Sequence, residues 1–303
     1  MSRPILLDTD IGTDVDDAIA LALVLASPEF DLRAVSIVSG DVGRRGQIAR
    51  QMLTLAGCAA VPVSLGVREP VLRQRRFLWL GHEGEAIVPV DAPVPAATPH
   101  AVDALIDRLR TTPTEVVAIG PLSNLAVAIM KEPAVAGWIP HLTVMGGVLG
   151  LNPDVPPFEY NLASDPEAAL VALSAGIPTT LVPADVTWQV ALTRRELGRL
   201  RQSRSALVQV LCDAIEVWAP LQQAASAGAL APDVVAMLHD PLTVAALLDP
   251  AWLTWDRQRL RPVIDDGLFR LVPDLSVPEM RVATAVDADA AVEFVMERLL
   301  RLD

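Results

Sequence analysis

The chain has 303 residues, of which 52% are hydrophobic and 20% are charged, so it can bury one large core or two smaller ones. Its formal net charge is −13, and Lys131 is its one lysine. This balance excludes a nucleic-acid polymer as the partner, because phosphate binding needs clustered basic residues. The small arginine clusters at 44–45, 73–76 and 194–195 are therefore interpreted as solvated helix or loop faces.

The cysteines and the hydropathy of the chain indicate in which cellular compartment the protein resides. Cys58 and Cys212 form no motif, and two thiols in a chain of this length indicate a reducing compartment. No run approaches the roughly 20 apolar residues that a membrane helix requires. A strand predicted from Pro4 leaves no room for a signal peptide. We expect a cytoplasmic protein that has no contact with a membrane.

Strand-like and helix-like segments alternate along the chain. The predicted strands are residues 4–7, 32–38, 61–65, 115–119, 142–145 and 179–182. The predicted helices are residues 18–26, 46–56, 99–109 with Thr98 as cap, 122–130, 165–176, 193–223 and 290–302. Residues 66–99 look irregular. Such repeated βα units predict an α/β fold in which one mostly parallel (mixed) sheet is flanked by helices, in a single domain over residues 1–303.

Acidic residues crowd the turn between the first predicted strand and the first predicted helix. They are Asp8, Asp10, Asp14, Asp16 and Asp17. This turn is the usual ligand edge of a parallel α/β sheet. Helix capping explains acids at the helix start, but not Asp8 and Asp10, which lie two residues apart on one face of the strand end. Hard oxygen ligands here indicate a Ca²⁺ or Mg²⁺ site.

Other predicted strands and loops carry polar motifs that the same edge would collect. These motifs are Ser39-Gly40-Asp41, Gly81-His82-Glu83-Gly84, Gly120-Pro121-Leu122-Ser123-Asn124, Met145-Gly146-Gly147, Glu159-Tyr160-Asn161 and His239-Asp240-Pro241. His82 stands between glycines and has no evident packing role. Glu159 and Asn161 would point into one pocket if the backbone there is extended. Asp240 reads as a helix cap, a role that is compatible with metal binding.

With these motifs the chain resembles the inosine–uridine-preferring nucleoside hydrolases, which are calcium-dependent N-ribohydrolases. The resemblance covers essentially the whole chain and rests on motifs that follow the family's order. They are the acidic opening with Gly12, Gly120 to Asn124, Met145 to Gly147, Glu159 to Asn161 with Asp165 to Ala168, Val182 to Thr187, and His239 to Leu242. The resemblance implies a Rossmann-like nucleoside hydrolase fold, a small nucleoside as substrate, a place in nucleoside metabolism, and a homodimer or homotetramer.

The resemblance also implies roles for individual residues. A Ca²⁺ ion would be held by Asp10, Asp17, Asp240 and the backbone carbonyl of Ser123, with Asp8 as a supporting acid. The residues implied for the sugar are Asp16, or Asp14 in its place, with Asp41 at the rim, Met145 beneath the ring, and Glu159 and Asn161 on the hydroxyls. The residues that would face the base are His82 and His239, with Trp79, Trp188, Trp218 and Tyr160 as candidates for stacking. The contact to the 5′-hydroxyl stays open, because the loop around Asn152 does not align with the family.

The residue types fit the hydrolysis of an N-glycosidic bond. Positive charge develops on the sugar in the transition state, and a carboxylate-lined cavity stabilises it. Asp10 is the predicted general base for an attacking water molecule, and direct attack would invert the anomeric carbon. His239, and after it His82, is predicted to donate a proton to the leaving base, since imidazole can be protonated near neutral pH.

Two other functions remain open at this point. A nucleoside-binding or ribose-binding protein on the same fold would lack turnover, yet every predicted ligand and base is present. A phosphatase of the haloacid-dehalogenase type matches Asp8-Thr9-Asp10, but its chemistry needs a downstream lysine to bind the phosphoryl group. Lys131 would have to serve, and the histidine motifs would stay unexplained.

Overall fold

The structure is a computed structural model that describes residues 2–88, 99–248 and 250–302. Its strands are β1 Arg3–Thr9, β2 Phe30–Ile37, β3 Val63–Leu65, β4 Glu115–Ala118, β5 Leu142–Met145, β6 Thr179–Val182, β7 Ala191–Thr193, β8 Val234–Met237, β9 Leu253–Gln258, β10 Leu260–Asp265, β11 Leu268–Pro273 and β12 Met280–Val286. Its helices are α1 Asp16–Leu25, α2 Val42–Leu55, α3 Ala101–Thr111, α4 Ser123–Lys131, α5 Val135–Trp138, α6 Tyr160–Ser164, α7 Pro166–Leu173, α8 Ala184–Thr187, α9 Arg194–Leu200, α10 Ala206–Ala225, α11 His239–Ala246 and α12 Ala288–Leu299, followed by a 3₁₀ turn Leu300–Leu302.

The main sheet has eight strands in the order β3-β2-β1-β4-β5-β6-β12-β9. Every neighbouring pair in it is parallel except β12 with β9. The strand order reverses between β1 and β4, which creates the crevice at which open α/β sheets bind their ligands. The predicted α/β fold with a mostly parallel sheet is confirmed.

The sheet separates two hydrophobic layers, and β1 shows why. Ile5 and Leu7 pack with the buried faces of α1, α2, α10, α11 and α12, whereas Leu6 packs with those of α3, α4 and α7. Side chains alternate across a strand, so a continuously apolar strand feeds both layers. The carboxyl end of β1 is therefore held rigidly between two packed layers of helices.

The sequence missed two strands at one end of the main sheet, β12 and β9, both strands of each two-stranded sheet, β7–β8 and β10–β11, and one helix break. Strands β9 to β12 were not predicted, because β9 at the sheet edge and the β10–β11 hairpin carry charged and half-exposed residues instead of an apolar run. The helix predicted over 193–223 is two helices, α9 and α10, that are separated by residues 201–205. Thr193 instead ends β7 and caps α9 through a capping box with Glu196.

Helix α3 starts at Ala101, two residues after its predicted start. His100 caps α3 by accepting a hydrogen bond from Val102, and the predicted cap, Thr98, lies outside the described residues. The described part of the irregular segment, residues 66–88, contains no helix or strand. Among the described residues, none of the helices is both long enough and apolar enough to cross a membrane.

Candidate active site and metal site

A cavity of about 610 Å³ lies at the carboxyl edge of the central strands. Ile119, Met145 and Ala184 line it from positions at or just beyond the ends of β4, β5 and β6. The acidic residues in its wall are Asp10, Asp14, Asp16, Asp17, Glu159 and Asp240. The fold therefore brings together acids that are more than 200 positions apart in the sequence: four follow β1, and Asp240 lies at the start of α11, after a strand outside the main sheet.

Three of these acids form a group, called here the acid triad: Asp16, Asp17 and Asp240. One carboxylate oxygen from each lies within 4.8 Å of the other two, and all three residues are buried. Burial raises the pKa of each carboxyl group, and the charge of the neighbouring acids raises it further. Hard, closely spaced oxygen donors that repel one another match the needs of a divalent cation such as Ca²⁺ or Mg²⁺. The residues present fit a metal ion.

The pH dependence of stability in a chelator should reveal the cost of burying the acids beside the triad. Burial raises the pKa of Asp8 and of Asp14 from 3.8 to about 7. Between those values the folded chain binds more protons than the unfolded chain, so the free energy of unfolding decreases as the pH rises. We expect metal-free protein to melt at a lower temperature at pH 8 than at pH 5, measured by circular dichroism. A melting temperature that is higher at pH 8 would contradict this reading.

Asp10 lies in the same cavity but outside the acid triad. It directly follows β1, where β4 approaches so closely that a Cβ atom on Gly120 would lie 2.7 Å from its Oδ1. Only glycine fits at that position. Burial raises the pKa of Asp10, and the nearby Arg45 guanidinium opposes that rise. The Asp10 carboxylate is thus packed against the backbone just beyond the end of β4.

Arg45 is a functional residue that the sequence analysis misjudged. It was interpreted as a solvated charge, but its side chain is 0% exposed. Its guanidinium donates to the backbone carbonyls of Ser39 and Asp10 and to the Thr13 hydroxyl. Thr13 in turn donates to the buried carboxylate of Glu83. Arg45 therefore ties the acidic loop to the rest of the edge and places a permanent cation beside its acids.

Replacing Arg45 with Met should lower the free energy of unfolding by about 3 kcal/mol, because buried acceptors without a donor cost about 1–3 kcal/mol each. Arg45→Lys keeps the charge but lacks the forked donors of the guanidinium group, so we expect roughly half of that loss in the free energy of unfolding. Urea unfolding measures both values. Arg33→Met is the control, since its ion pair with Asp31 is half-exposed and such pairs contribute little. An Arg45→Met variant as stable as this control would refute the assigned role.

The cavity is lined by Met145, Glu159 and Asn161, which the resemblance implies for the sugar. Glu159 is the cap of α6, and its carboxylate accepts from the backbone amides of Asn161 and Leu162. The Asn161 amide donates to the carbonyls of Ile119 and Met145 at 3.0 and 3.3 Å, which leaves its oxygen as an acceptor. The backbone is extended at Glu159 and helical at Asn161, and both residues line the cavity.

The cavity is also lined by four residues with rings, called here the aromatic wall: His239, Trp188, Trp218 and Tyr160. The His239 ring lies 5.8 Å from that of Trp188, and its Nδ1 is 2.7 Å from the Thr187 hydroxyl. Burial lowers the pKa of His239 to about 4. The imidazole is therefore neutral near pH 7, contrary to the expectation that it would be protonated.

The family assignment follows from comparison with known proteins. The sequence model of the inosine-uridine preferring nucleoside hydrolases matches residues 5–293. The chain belongs to this family. It is accordingly a hydrolase that acts on ribonucleosides.

Relatives of this nucleoside hydrolase differ in the substrates that their names state. The chain is 33% identical to the pyrimidine-specific ribonucleoside hydrolase RihA of Shewanella sp. (strain MR-7), over 83% of this chain and 79% of the relative. The plant nucleoside hydrolase PpNRh1 superposes with a TM-score of 0.85 at 28% identity and covers 99% of both chains. The purine-preferring ribonucleoside hydrolase from Gardnerella vaginalis gives a TM-score of 0.84 at 27% identity, with 98% of both chains covered.

Three residues that the resemblance implied for the substrate lie outside the cavity of this nucleoside hydrolase. The His82 ring stacks on Trp218 with centroids 5.7 Å apart, and its Nε2 lies 2.8 Å from the Thr13 carbonyl. His82 thus packs behind the aromatic wall, contrary to the expectation that it has no packing role. Asp41 is an exposed cap of α2, and the exposed Trp79 packs against Arg45.

Two predicted metal-site residues, Asp8 and Ser123, do not line the cavity. Asp8 accepts from Ser36 and from the Asn124 amide, while its buried Oδ1 has no partner among the described residues. The Ser123 hydroxyl donates to Asp165 at 2.6 Å in the first turn of α4. Lys131 forms an ion pair with Asp103 on the surface. It is therefore not placed to bind a phosphoryl group at the site, as a phosphatase of the haloacid-dehalogenase type would need.

Proposed function

We propose that this nucleoside hydrolase breaks the C1′–N bond of a ribonucleoside with Ca²⁺ as its cofactor and Asp10 as the general base. The observation that supports this most is the placement of Asp10 in the same cavity as the acid triad. Asp17 and Asp240 belong both to the acid triad and to the ligand set that the resemblance implies. They would hold the ion, with Asp10 and Asp16 completing the charge of the site.

A bound calcium ion would supply positive charge that attracts the sugar hydroxyls and makes nearby water more acidic. The Asp10 carboxylate would accept the proton of the attacking water molecule as the C1′–O bond forms. Glu159 and Asn161 would orient the sugar by accepting hydrogen bonds from its hydroxyls. Because no enzyme group attacks the sugar, the product is the inverted ribose.

His239 would donate a hydrogen bond to the leaving base and so assist its protonation by solvent. If the Thr187 hydroxyl donates to Nδ1 of the neutral imidazole, the ring hydrogen resides on Nε2, the nitrogen that is free to serve the base. Trp188 and Trp218 would stack on the base from the same wall. This arrangement places a donor at the base without requiring an imidazolium ion.

Replacing Thr187 with Val should reduce kcat on nucleosides by about 10- to 100-fold, less than the 10²–10⁴ typical of losing an acid catalyst outright. The reason is that Val cannot fix the His239 tautomer. On 4-nitrophenyl ribofuranoside, whose leaving group needs no proton, we expect less than a threefold change. Equal losses on both substrates would contradict the role in protonation.

Release of free base, followed by chromatography, tests the proposed function. A panel of purine and pyrimidine ribonucleosides is incubated with the protein, with chelator, and with chelator followed by excess Ca²⁺. Release that the chelator abolishes and Ca²⁺ restores supports the proposal, and the ranking gives the base preference. Binding without release from any nucleoside would replace the hydrolase with a binding protein.

Assembly and compartment stay predictions. A homodimer or homotetramer would be detected by light scattering coupled to size-exclusion chromatography, with a monomeric mass of 32.3 kDa as the contrary result. A cytoplasmic location is consistent with two cysteines that form no disulfide among the described residues.

A further inference from the structure

A second cavity of about 400 Å³ adjoins the active-site cavity. The two share Val155, Phe158, Glu159 and Ala163 in their walls. The outer wall of the second cavity is strand β11 from Phe269 to Val272. The lining of the second cavity contains no residue of the acid triad or the aromatic wall. The second cavity is therefore not needed to bind the metal or the base.

A buried acid behind the second cavity holds the loop that lines it. Asp185 is 1% exposed, and its carboxylate accepts from the backbone amides of Leu149 and Leu151 at 2.7 Å each. It also accepts from the amide of Asn152 at 3.2 Å. Because one carboxylate accepts from three backbone amides within four residues of this loop, the loop wall of the cavity is a defined part of the fold.

The relation of this space to the substrate follows from the proposed function. The base lies at the aromatic wall, and the vicinal hydroxyls lie at the acid triad, as a divalent cation requires. The 5′-carbon is the remaining substituent of the ribose ring. Glu159 is the one charged residue that both cavities share, and it binds the sugar in the proposed function. A group larger than a hydroxyl at the 5′-carbon would therefore pass Glu159 into the second cavity.

The chemistry of the wall selects the kind of substituent. Most of its side chains are apolar, among them Val148, Leu149 and Leu271. Its one cation, Arg270, pairs with Asp265 at 3.5 Å, and Glu159 adds negative charge. A 5′-phosphate would meet repulsion, whereas an uncharged carbon or thioether group would bury apolar surface.

We propose that the second cavity is a subsite for the uncharged 5′-substituent of 5′-deoxy-5′-alkylthio ribonucleosides, and this rests on the proposed function. Hydrolysis of such a substrate breaks the same C1′–N bond and forms a C1′–O bond with water. The water proton passes to Asp10 and from there to solvent, and the departing base, held by a hydrogen bond from Nε2–H of His239, takes one proton from solvent, so the charges balance. The thioether is unchanged, and the products are the free base and 5-alkylthioribose.

Binding to the inactive Asp10→Asn variant in Ca²⁺ tests the subsite by calorimetry. The probes are the preferred nucleoside of the panel and its 5′-methylthio and 5′-propylthio derivatives. Each methylene buried in apolar surroundings strengthens binding by about fourfold. We expect the propylthio derivative to bind at least threefold more tightly than the methylthio derivative. Equal or weaker binding of the propylthio derivative would overturn the proposal. This test needs no variant of the subsite.

A variant that fills the subsite gives the second test. Val272→Trp should weaken binding of the propylthio derivative at least tenfold and leave the parent nucleoside within twofold. Val263→Trp is the matched control, because Val263 is equally half-buried in the same hairpin but lines neither cavity. Loss of affinity for both ligands in Val272→Trp would overturn the subsite.

Turnover by the wild-type protein separates the two proposals. Hydrolysis of the propylthio derivative within about tenfold of the parent kcat/KM supports the subsite. Hydrolysis of the parent alone, with the derivative at least 1,000-fold slower, overturns the subsite and leaves the proposed function intact. Hydrolysis of neither overturns both. A 5′-monophosphate that is cleaved as fast as the parent would overturn the apolar character assigned to the subsite.

Discussion

The Asp10→Asn variant is expected to release base about 10²–10⁴-fold more slowly than the wild-type protein, the range typical of losing a general base. The affinity for the nucleoside should change little, because Asn keeps the shape of the side chain and Gly120 still leaves room for it. Pre-steady-state measurement of base release in saturating Ca²⁺, together with calorimetric binding, separates the two quantities.

The stability of the Asp10→Asn variant distinguishes lost chemistry from damaged structure. Burial disfavours the charged form of Asp10, and its neighbours in the cavity are also acids. An uncharged amide removes this repulsion, so the melting temperature in chelator should rise or stay unchanged. A variant that loses activity and also melts at a lower temperature would point to misfolding instead.

Asp287→Asn is the matched control for this substitution. Asp287 caps α12 by accepting from the amide of Ala290, and Asn is an equally good cap. It is exposed and lies outside the cavity. We expect its kcat to remain within twofold of the wild-type value. An Asp10→Asn variant that behaves like this control would remove Asp10 from the mechanism.

The central βα units could be predicted from the sequence because local pattern and tertiary environment agree there. Strands β5 and β6 were predicted with their bounds, since each is a short apolar run between turn residues. The edge strand β9 and the β10–β11 hairpin were missed because half-exposed strands carry a weaker pattern. Those segments become strands because they pair with a neighbouring strand, and a single sequence does not reveal which segments pair.

The acids of the site were predictable in identity but not in arrangement. The sequence placed Asp10, Asp17 and Asp240 at one edge, and all three lie in one cavity. The closest group contains Asp16 in place of Asp10, which depends on the first turn of α1. The loop between β1 and α1 sets that turn, and its geometry depends on Arg45, a residue with no motif of its own.

Burial is the property that the sequence conveyed least well at this site. Arg45 stands next to Arg44 in a polar helix start, which is typical of a solvated face, yet the structure buries it under Trp79. His82 stands between glycines, yet it stacks on Trp218 from a helix more than 100 positions away. Both contacts join segments that are distant in the chain, so neither leaves a periodic signal.

The Asp240→Asn variant should bind Ca²⁺ at least about 100-fold more weakly than the wild-type protein. Loss of an outer partner alone typically costs 10- to 100-fold in metal affinity, and Asp240 belongs to the acid triad itself. Titration calorimetry in the absence of nucleoside measures this directly. Activity should be low at micromolar Ca²⁺ and should recover in part when the ion is raised to millimolar concentration.

Thermal unfolding of the same variant distinguishes a metal ligand from a residue that only supports the fold. Without metal, removing one of three buried, mutually repelling carboxylates should raise the melting temperature. With millimolar Ca²⁺ the wild-type protein should become the more stable of the two, because a ligand stabilises the folded state in proportion to its affinity. The two melting curves are therefore expected to exchange order between chelator and Ca²⁺. If Asp240→Asn melts at the lower temperature in both conditions, Asp240 supports the fold and not the ion, and the metal would have to be assigned to other acids of the cavity.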